Sequence, residues 1–237
     1  MGLCSDAAML LFYDIEGDSA DHDEWHSAEH LHERLSIPGF LRATRWVAES
    51  GGPRYFILYE VSSLDVATSP DYLQRLNRPS AWTQSMMGRF RGMHRGFGSL
   101  AARAGFGFGD KARVLRFAPL EGRELEITAW MNEVALPGIA SLKGMASLSL
   151  FKPAAARPMT KEQSLRGADR PLNWVLLASA YDSQVLEASI TEAMNARIFQ
   201  DCLTPSTLTR TAYRLQFTAS AQEALKNPRA LRHAPAT

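Results

Sequence analysis

The first hundred residues alternate between apolar and amphipathic blocks, which predict strands and helices in a regular order. An apolar run over residues 7–13 predicts a strand. Residues 21–35 contain neither glycine nor proline and carry apolar residues at helical spacing, which predicts a helix. Turns at Pro38-Gly39 and Gly51-Gly52-Pro53 separate the elements that follow. The predicted order is strand 7–13, helix 21–35, strands 40–48 and 54–61, helix 70–77 and a strand within 89–100.

The second half repeats this order. Its predicted elements are strand 113–118, helix 121–134, strands 145–151 and 174–180, helix 184–199 and strand 209–217. The turn Leu136-Pro137-Gly138-Ile139 matches Ile37-Pro38-Gly39-Phe40, which indicates internal duplication. Strand, helix, strand, strand, helix, strand is the ferredoxin-like plan. The sequence therefore predicts an α+β fold with two tandem ferredoxin-like units (βαββαβ), residues 1–104 and 105–218, and a tail at 219–237 that begins as a short helix and ends in disorder.

The two units are expected to cover each other. A four-stranded sheet with both helices on one side leaves its other face bare, so we expect the two sheets to pack face to face as a barrel within one chain. The connection at 152–171 is long for a link between strands. It predicts either a lid over a site or a mobile surface loop.

Composition narrows the function classes. The chain has 237 residues, of which 46% are apolar, so it forms a globular protein. Its 26 Lys and Arg against 25 Asp and Glu provide no general field for nucleic acid or an anionic membrane, and we expect neither partner. Only Cys4 and Cys202 are present, which favours a reducing cytoplasm. The run at 7–13 is too short to span a membrane and does not resemble a signal peptide.

A stripe of ionisable residues runs along the helix at 21–35. His22, His26 and His30 recur every four residues, as do Glu29 and Glu33, so all five lie within an arc of about 100° on a regular helix. Histidine transfers protons near neutral pH, and a carboxylate one turn away can orient its ring. The stripe predicts either a proton-transfer site or the solvated face of a surface helix.

Two other motifs are weaker. The residues from His26 to His30 match the H-x-x-E-H pattern of inverted zinc proteases, but the chain offers no strong third ligand, and we expect no metal. The segment Gly105-Phe106-Gly107-Phe108-Gly109 lacks the Lys-Ser/Thr and the strand-to-helix context of a phosphate loop. It is interpreted as the linker between the two units, and no nucleotide is inferred.

The segment from Trp25 to Leu35, followed by Ile37-Pro38-Gly39-Phe40, resembles the first-helix signature of dimeric α/β-barrel proteins of the ferredoxin-like superfamily, in particular EthD-like proteins. That superfamily includes cofactor-free monooxygenases, muconolactone isomerases, polyketide cyclases and haem-binding enzymes. The resemblance implies a cavity between the sheet and the helices, with His30, from the Glu-His pair of the signature, acting on a ligand. His32 departs from the signature, which usually has proline there.

Further residues are candidates for such a cavity. Aromatic and hydroxyl groups on a sheet face suit a planar ligand, although each is more often part of a core. Arg89, Arg91 and Arg95 could clamp a carboxylate substrate, or could be protective charges on a solvated strand edge. The candidate substrate-binding residues are His26, Trp46, Tyr55, Tyr59, Trp82 and His94.

Two functions are weighed. The first is a cofactor-independent isomerase, cyclase or monooxygenase, in which His30, oriented by Glu29 or Glu33, moves a proton of an aromatic, lactone or polyketide-like compound. The second is a non-catalytic ligand-binding or assembly module whose cavity is filled by side chains. No cofactor is expected. A haem role stays a third option without an assignable axial histidine. The expected partner is a small-molecule ligand, and a homodimer of the duplicated chain stays possible.

Overall fold

A computed structural model describes residues 2–155, 160–167 and 169–226. Within them the strands are β1 (Ala7–Ile15), β2 (Phe40–Ser50), β3 (Tyr55–Val61), β4 (Phe90–Gly105), β5 (Lys111–Phe117), β6 (Met145–Pro153), β7 (Trp174–Ala180) and β8 (Thr209–Ser220). The α-helices are α1 (Ser19–Trp25), α2 (Leu31–Leu35), α3 (Pro70–Asn77), α4 (Ala81–Met87), α5 (Glu124–Trp130), α6 (Leu136–Ala140), α7 (Lys161–Arg166), α8 (Ser183–Asn195), α9 (Arg197–Cys202) and α10 (Ala221–Lys226).

All eight strands form one closed antiparallel barrel. The strand order is β1-β3-β2-β8-β5-β7-β6-β4, so each half contributes one four-stranded ferredoxin-like sheet. The sheets join where β2 pairs with β8 and where β4 pairs with β6. The predicted α+β fold, with two ferredoxin-like sheets closed into a barrel inside one chain, is confirmed.

Alternation along the strands separates the barrel interior from the helix-covered faces. On β3, Tyr55, Ile57 and Tyr59 pack under the helices of the first half, whereas Phe56 and Leu58 point into the barrel. A separate cluster fills the space under the helices of the second half. β3 and β7 are buried at every position, which explains why both are predominantly apolar.

The first helical segment, residues 19–35, is not a regular helix. The Asp18 side chain caps its N-terminus by accepting from the Ala20 amide, and a π turn over His26–His30 separates α1 from α2. In this turn the Leu31 amide donates to the His26 carbonyl, five residues back. One extra residue rotates everything after it by about 100° relative to a regular helix. The buried positions are therefore His22, Trp25, His26 and Glu29 before the rotation and His30, Leu31, Arg34 and Leu35 after it.

The second helical segment, residues 124–140, contains the same irregularity. Its π turn spans Met131–Ala135 between α5 and α6. The proposed echo of the Pro-Gly turn is wrong: Pro137 and Gly138 lie inside α6, where proline is tolerated near the start of the helix. The turn that matches Gly39 is at Gly144, and both glycines have positive φ, 93° and 103°.

Two further segments differ from expectation. Helix α4 was not predicted. The described part of the connection 152–171 contains helix α7 and is not simply a surface loop, because Glu162 of α7 is buried against Arg34 of the first half. The tail contains α10, while the disorder predicted after it falls on residues 227–237, outside the described residues. No helix in the described part of the chain has the length and apolar character needed to cross a membrane.

Candidate functional site

A narrow cavity lies between the first sheet and the first helical segment. Helix α7 from the second half contributes Glu162 and Arg166 to its wall. The cavity encloses about 370 Å³ that atoms do not fill, part of it open to solvent, but its centre admits only about one water molecule. Its lining consists of Met9, Leu11, Tyr13, Trp25, His26, His30, Arg34, Tyr59, Met87, Phe90, Met93, Arg95, Glu162 and Arg166.

The histidine stripe faces this cavity and the core. The solvated-face interpretation is wrong, because His22, His26 and His30 are 0%, 2% and 7% exposed. The ring of His30 lies on Trp25 with centroids 4.3 Å apart. Nε2 of His26 lies 3.4 Å from the Tyr59 hydroxyl. The Nδ1 atoms of His26 and His30 have no hydrogen-bond partner within the described residues.

Burial keeps both cavity imidazoles neutral. It lowers the pKa of His30 well below its usual value, and the positive charges of Arg34 and Arg166 lower it further. Burial and then Arg45 lower the pKa of His26 in the same direction. Each ring therefore keeps a free lone pair at neutral pH, as a proton acceptor requires.

A second polar chain holds Tyr13 at the cavity wall. Nδ1 of His22 lies 3.1 Å from a carboxylate oxygen of Asp23, and Nε2 lies 3.0 Å from the Tyr13 hydroxyl. Burial alone would raise the pKa of Asp23, but hydrogen bonds from His22, Tyr55 and Gln216 outweigh it and lower the pKa well below the usual range. The ionised carboxylate therefore accepts from Nδ1–H of His22, whose Nε2 accepts from Tyr13.

A buried ion pair connects the first helical segment to α7. Nη2 of Arg34 donates to both carboxylate oxygens of Glu162, at 2.6 and 2.5 Å. Burial alone would lower the pKa of Arg34, but the charge of Glu162 outweighs it and raises the pKa. Nη1 of the same guanidinium has no hydrogen-bond partner within the described residues.

Two more arginines extend this pair. Arg166 donates to both carboxylate oxygens of Asp169, at 2.9 and 3.0 Å. Nη1 of Arg95 lies 3.6 Å from Asp169, and its Nη2 donates to the Tyr72 hydroxyl. These five charged residues, Arg34, Arg95, Glu162, Arg166 and Asp169, are called the arginine cluster below.

Neither of the two predicted catalytic carboxylates, Glu29 and Glu33, forms a hydrogen bond with His30. Glu29 is buried outside the cavity lining, where its Oε1 accepts from Ser80 at 2.5 Å and from Thr83 at 3.3 Å. It anchors the start of α4, so its expected role in orienting His30 is not supported. Oε2 of Glu33 lies 3.8 Å from Nδ1 of His30, too far for a hydrogen bond but close enough to pair with a protonated ring.

Four of the other candidates lie away from the cavity lining. Trp46 is in the barrel interior, on the opposite face of the sheet. Tyr55 donates to Asp23 at 2.7 Å behind the lining. Trp82 packs at the edge of the first core, and Nδ1 of His94 lies 3.3 Å from the Pro171 carbonyl. The structure brings together His26, His30 and Tyr59.

The three arginines proposed as a clamp do not lie together. Arg89 pairs with Asp21 and Arg91 with Glu16, both near the surface, whereas Arg95 lines the cavity. Sequence reasoning missed Tyr13, Glu162 and Arg166 as cavity residues, because they lie on β1 and α7, two distant elements that only the fold brings together. Arg34 stands within the helix signature, and that was the one signal that could have indicated it.

The zinc-protease pattern has no metal-site geometry to support it. Glu29 of the pattern is bonded to hydroxyl groups, as described above. In the described residues, no three His, Cys, Asp or Glu side chains are grouped so that they could hold a metal ion.

Comparisons with known proteins reveal the fold but no close relative. No family model matches the chain, and no curated protein matches it. An anthrone oxidase-like protein superposes with a TM-score of 0.68 at 10% identity, over 92% of this chain and 94% of that one. A Fusobacterium nucleatum subsp. nucleatum protein, provisionally named a monooxygenase, gives 0.57 at 8% identity, over 92% and 96%. A mutant chlorite dismutase from Candidatus Nitrospira defluvii gives 0.53 at 10% identity, over 93% and 94%. The similarity extends over both halves of the barrel.

Proposed function

We propose that this protein is a cofactor-independent enzyme of the isomerase, cyclase or monooxygenase type, acting on an aromatic, lactone or polyketide-like compound. The observation that carries the proposal is the pair of buried, neutral imidazoles, His26 and His30, at one cavity that is otherwise largely apolar and aromatic. Strongly perturbed titratable groups in a cavity are typical of functional sites. The similarity of the fold to an anthrone oxidase-like protein supports an aromatic substrate.

His30 is the proposed base. The proton of an acidic carbon or phenol moves to the imidazole of His30, and the electron pair stays on the substrate as an enolate or phenolate. Glu33, 3.8 Å from Nδ1, then pairs with the imidazolium. Isomerisation and cyclisation can continue from this anion, and oxygenation adds molecular oxygen as co-substrate. His26 and Tyr59 are assigned to substrate binding, since they border the same space.

Ligand entry requires a wider cavity than the structure shows. The centre admits about one water molecule, and α7 covers it through Glu162 and Arg166. Helix α7 therefore acts as the lid that the long connection suggested, and it moves away from the first helical segment when a ligand binds.

Hydrogen–deuterium exchange at the methylene group of anthrone tests this proposal, because exchange reports proton removal whatever step follows. Under argon in D₂O, the wild-type protein is expected to accelerate the exchange over buffer, as followed by NMR. The His30→Ala variant is expected to lose at least about 100-fold of that acceleration, the usual contribution of a positioned base.

The His32→Ala variant is the matched control, since it removes a half-buried imidazole two residues away. It is expected to exchange anthrone at the wild-type rate. Full activity of His30→Ala, with circular dichroism showing both variants folded, would remove His30 from the mechanism. Tight anthrone binding without any accelerated exchange would favour the non-catalytic module, which the narrowness of the cavity supports.

We further propose that the two halves arose by duplication and that the first helical segment is EthD-like. The duplication is supported by the structure: each half contains a helix of 7 residues, a π turn of 5 and a helix of 5 in the same order, with Trp25 and Trp130 at equivalent places. The EthD-like assignment is supported by the resemblance of the residues from Trp25 to Leu35. The proposed boundary between residues 104 and 105 falls at the last residue of β4, which ends at Gly105, and β5 starts at Lys111.

A further inference from the structure

The charged side chains of the cavity wall are mostly positive. Arg34, Arg95 and Arg166 line the cavity together with one carboxylate, Glu162. Asp169 lies behind the wall and pairs with Arg166 and Arg95. Even with that second carboxylate counted, the arginine cluster contains three cations and two anions. One positive charge is therefore not balanced within the cluster.

The excess charge has a free donor at Arg34. Its guanidinium is 3% exposed, and Glu162 uses only Nη2, which leaves Nη1 without a hydrogen-bond partner in the described residues. Removing an N–H of a cation from water without supplying an acceptor is unfavourable. A ligand oxygen in the cavity would satisfy that donor, and a negatively charged oxygen would do so most strongly.

We propose that the cavity takes an organic anion, an aromatic carboxylate or an ionised phenol, whose charged oxygen binds Nη1 of Arg34. The inference rests on the proposed function and adds the class of substrate to it. The apolar part of the wall, formed by Trp25, Phe90 and Met93, suits the ring of such a ligand.

Anion binding also connects to the chemistry of His30. Arg34, Arg166 and Arg95 all disfavour the protonated form of that imidazole. A bound anion offsets their charge, so His30 becomes a stronger base when the ligand is in place. After proton transfer, the imidazolium of His30 faces two negative groups, the carboxylate of Glu33 and the bound anion, and both stabilise it.

The experiment compares benzoate with benzamide, which has nearly the same shape but no charge. Titration calorimetry of the full chain is expected to give at least tenfold tighter binding of benzoate. The double variant Arg34→Ile/Glu162→Leu removes the donor without changing the net charge of the cluster. Because both side chains line the cavity, the readout is the ratio of the two affinities: the preference for benzoate over benzamide is expected to fall at least tenfold.

A second variant works in the opposite direction. Glu162→Gln keeps the shape of the side chain but removes its charge, which releases the Arg34 guanidinium, so the preference for benzoate over benzamide is expected to rise at least threefold. Arg197→Ile removes a positive charge from an exposed position in the second half and is expected to leave both affinities unchanged.

The outcomes separate this inference from the proposed function. Equal binding of the two compounds, absence of benzoate binding up to about 10 mM, a Kd range in which binding is already very weak, or an unaffected double variant would overturn the anion site. Anthrone exchange that depends on His30 would still stand in each case. Arg34-dependent benzoate binding without any exchange activity would keep the anion site and overturn the catalytic proposal.

Discussion

The two helical segments, residues 19–35 and 124–140, have the same backbone and opposite side-chain chemistry. Three corresponding positions around the π turn are buried to nearly the same extent in both segments, whereas Glu29 is buried and its counterpart Val134 is exposed. The first segment fills the three positions with imidazoles and the second with aliphatic groups. The corresponding pairs are His22 and Ile127, His26 and Met131, and His30 and Ala135.

This difference separates what the fold requires from what a site requires. The second half shows that a helix with a π turn can cover a ferredoxin-like sheet with an apolar face alone. Buried imidazoles and a buried guanidinium are unfavourable unless they are neutral or paired. Their concentration at one cavity, under a helix supplied by the other half, therefore supports the proposed functional site, since packing alone does not require them.

The largest expected effect concerns the buried ion pair between Arg34 of the first helical segment and Glu162 of α7. Arg34 corresponds to Ile139 in the second segment, so Arg34→Ile makes the two halves alike at this position. It leaves the Glu162 carboxylate buried without its cation, and the free energy of unfolding is expected to fall by about 3–5 kcal/mol. Chemical denaturation followed by circular dichroism measures this change.

The double variant Arg34→Ile/Glu162→Leu completes that comparison. Since it removes both charges, it is expected to recover most of the lost stability, because a buried pair replaced by apolar groups is often neutral or stabilising. Arg197→Ile, which removes one partner of an exposed ion pair, is expected to change stability by less than about 1 kcal/mol. If Arg34→Ile alone were as stable as the wild type, the Glu162 carboxylate would not be buried in the folded protein.

A smaller effect is expected at the turns that follow the two segments. A Cβ at Gly39 would lie 2.5 Å from Val66 Cγ2, and one at Gly144 would lie 2.7 Å from Asp182 Cβ. With positive φ at both positions, Gly39→Ala and Gly144→Ala are each expected to lower the free energy of unfolding by about 1–3 kcal/mol. Thermal denaturation measures both; a normal melting temperature for either variant would break the equivalence of the two turns.

The smallest effect is the pH dependence that the histidines introduce. The unfolded chain takes up protons below the ordinary histidine pKa of 6.5, whereas His26 and His30 stay neutral in the folded state until well below that value. The contribution of these two residues to the free energy of unfolding is therefore fully present above pH 6.5 and is lost as the pH decreases below it. Each of the two residues is expected to remove about 1 kcal/mol between pH 7.5 and 5.5.

The variant His26→Met/His30→Ala gives the first half the residues of the second and measures that contribution. Its free energy of unfolding is expected to fall by about 2 kcal/mol less than that of the wild type over the same pH interval. Denaturant titrations at both pH values provide the comparison. An unchanged pH dependence would show that the two imidazoles have the same pKa in the folded protein as in the unfolded chain, and it would contradict the lowered pKa values.

Local patterns in the sequence determined the strands, the ferredoxin-like order and the closed barrel, because period-two and helical spacing directly report burial. They also indicated His26, His30 and Tyr59, which lie on two adjacent elements of the first half. The prediction from regular helical spacing failed at one point. A regular helix would place the histidine stripe on the face opposite Leu31 and Leu35, but the π turn adds a residue, and the histidines are buried together with these leucines.

Only the tertiary structure decided the rest of the site. Glu162 and Arg34 are 128 positions apart in the chain and meet at 2.5 Å, and no periodicity within either segment encodes that contact. Trp46 and Tyr59 looked equivalent as aromatic residues of neighbouring strands, yet they lie on opposite faces of the sheet. Chemistry that depends on side chains from distant segments exists only after the barrel has closed, because closure alone brings α7 over the first helical segment.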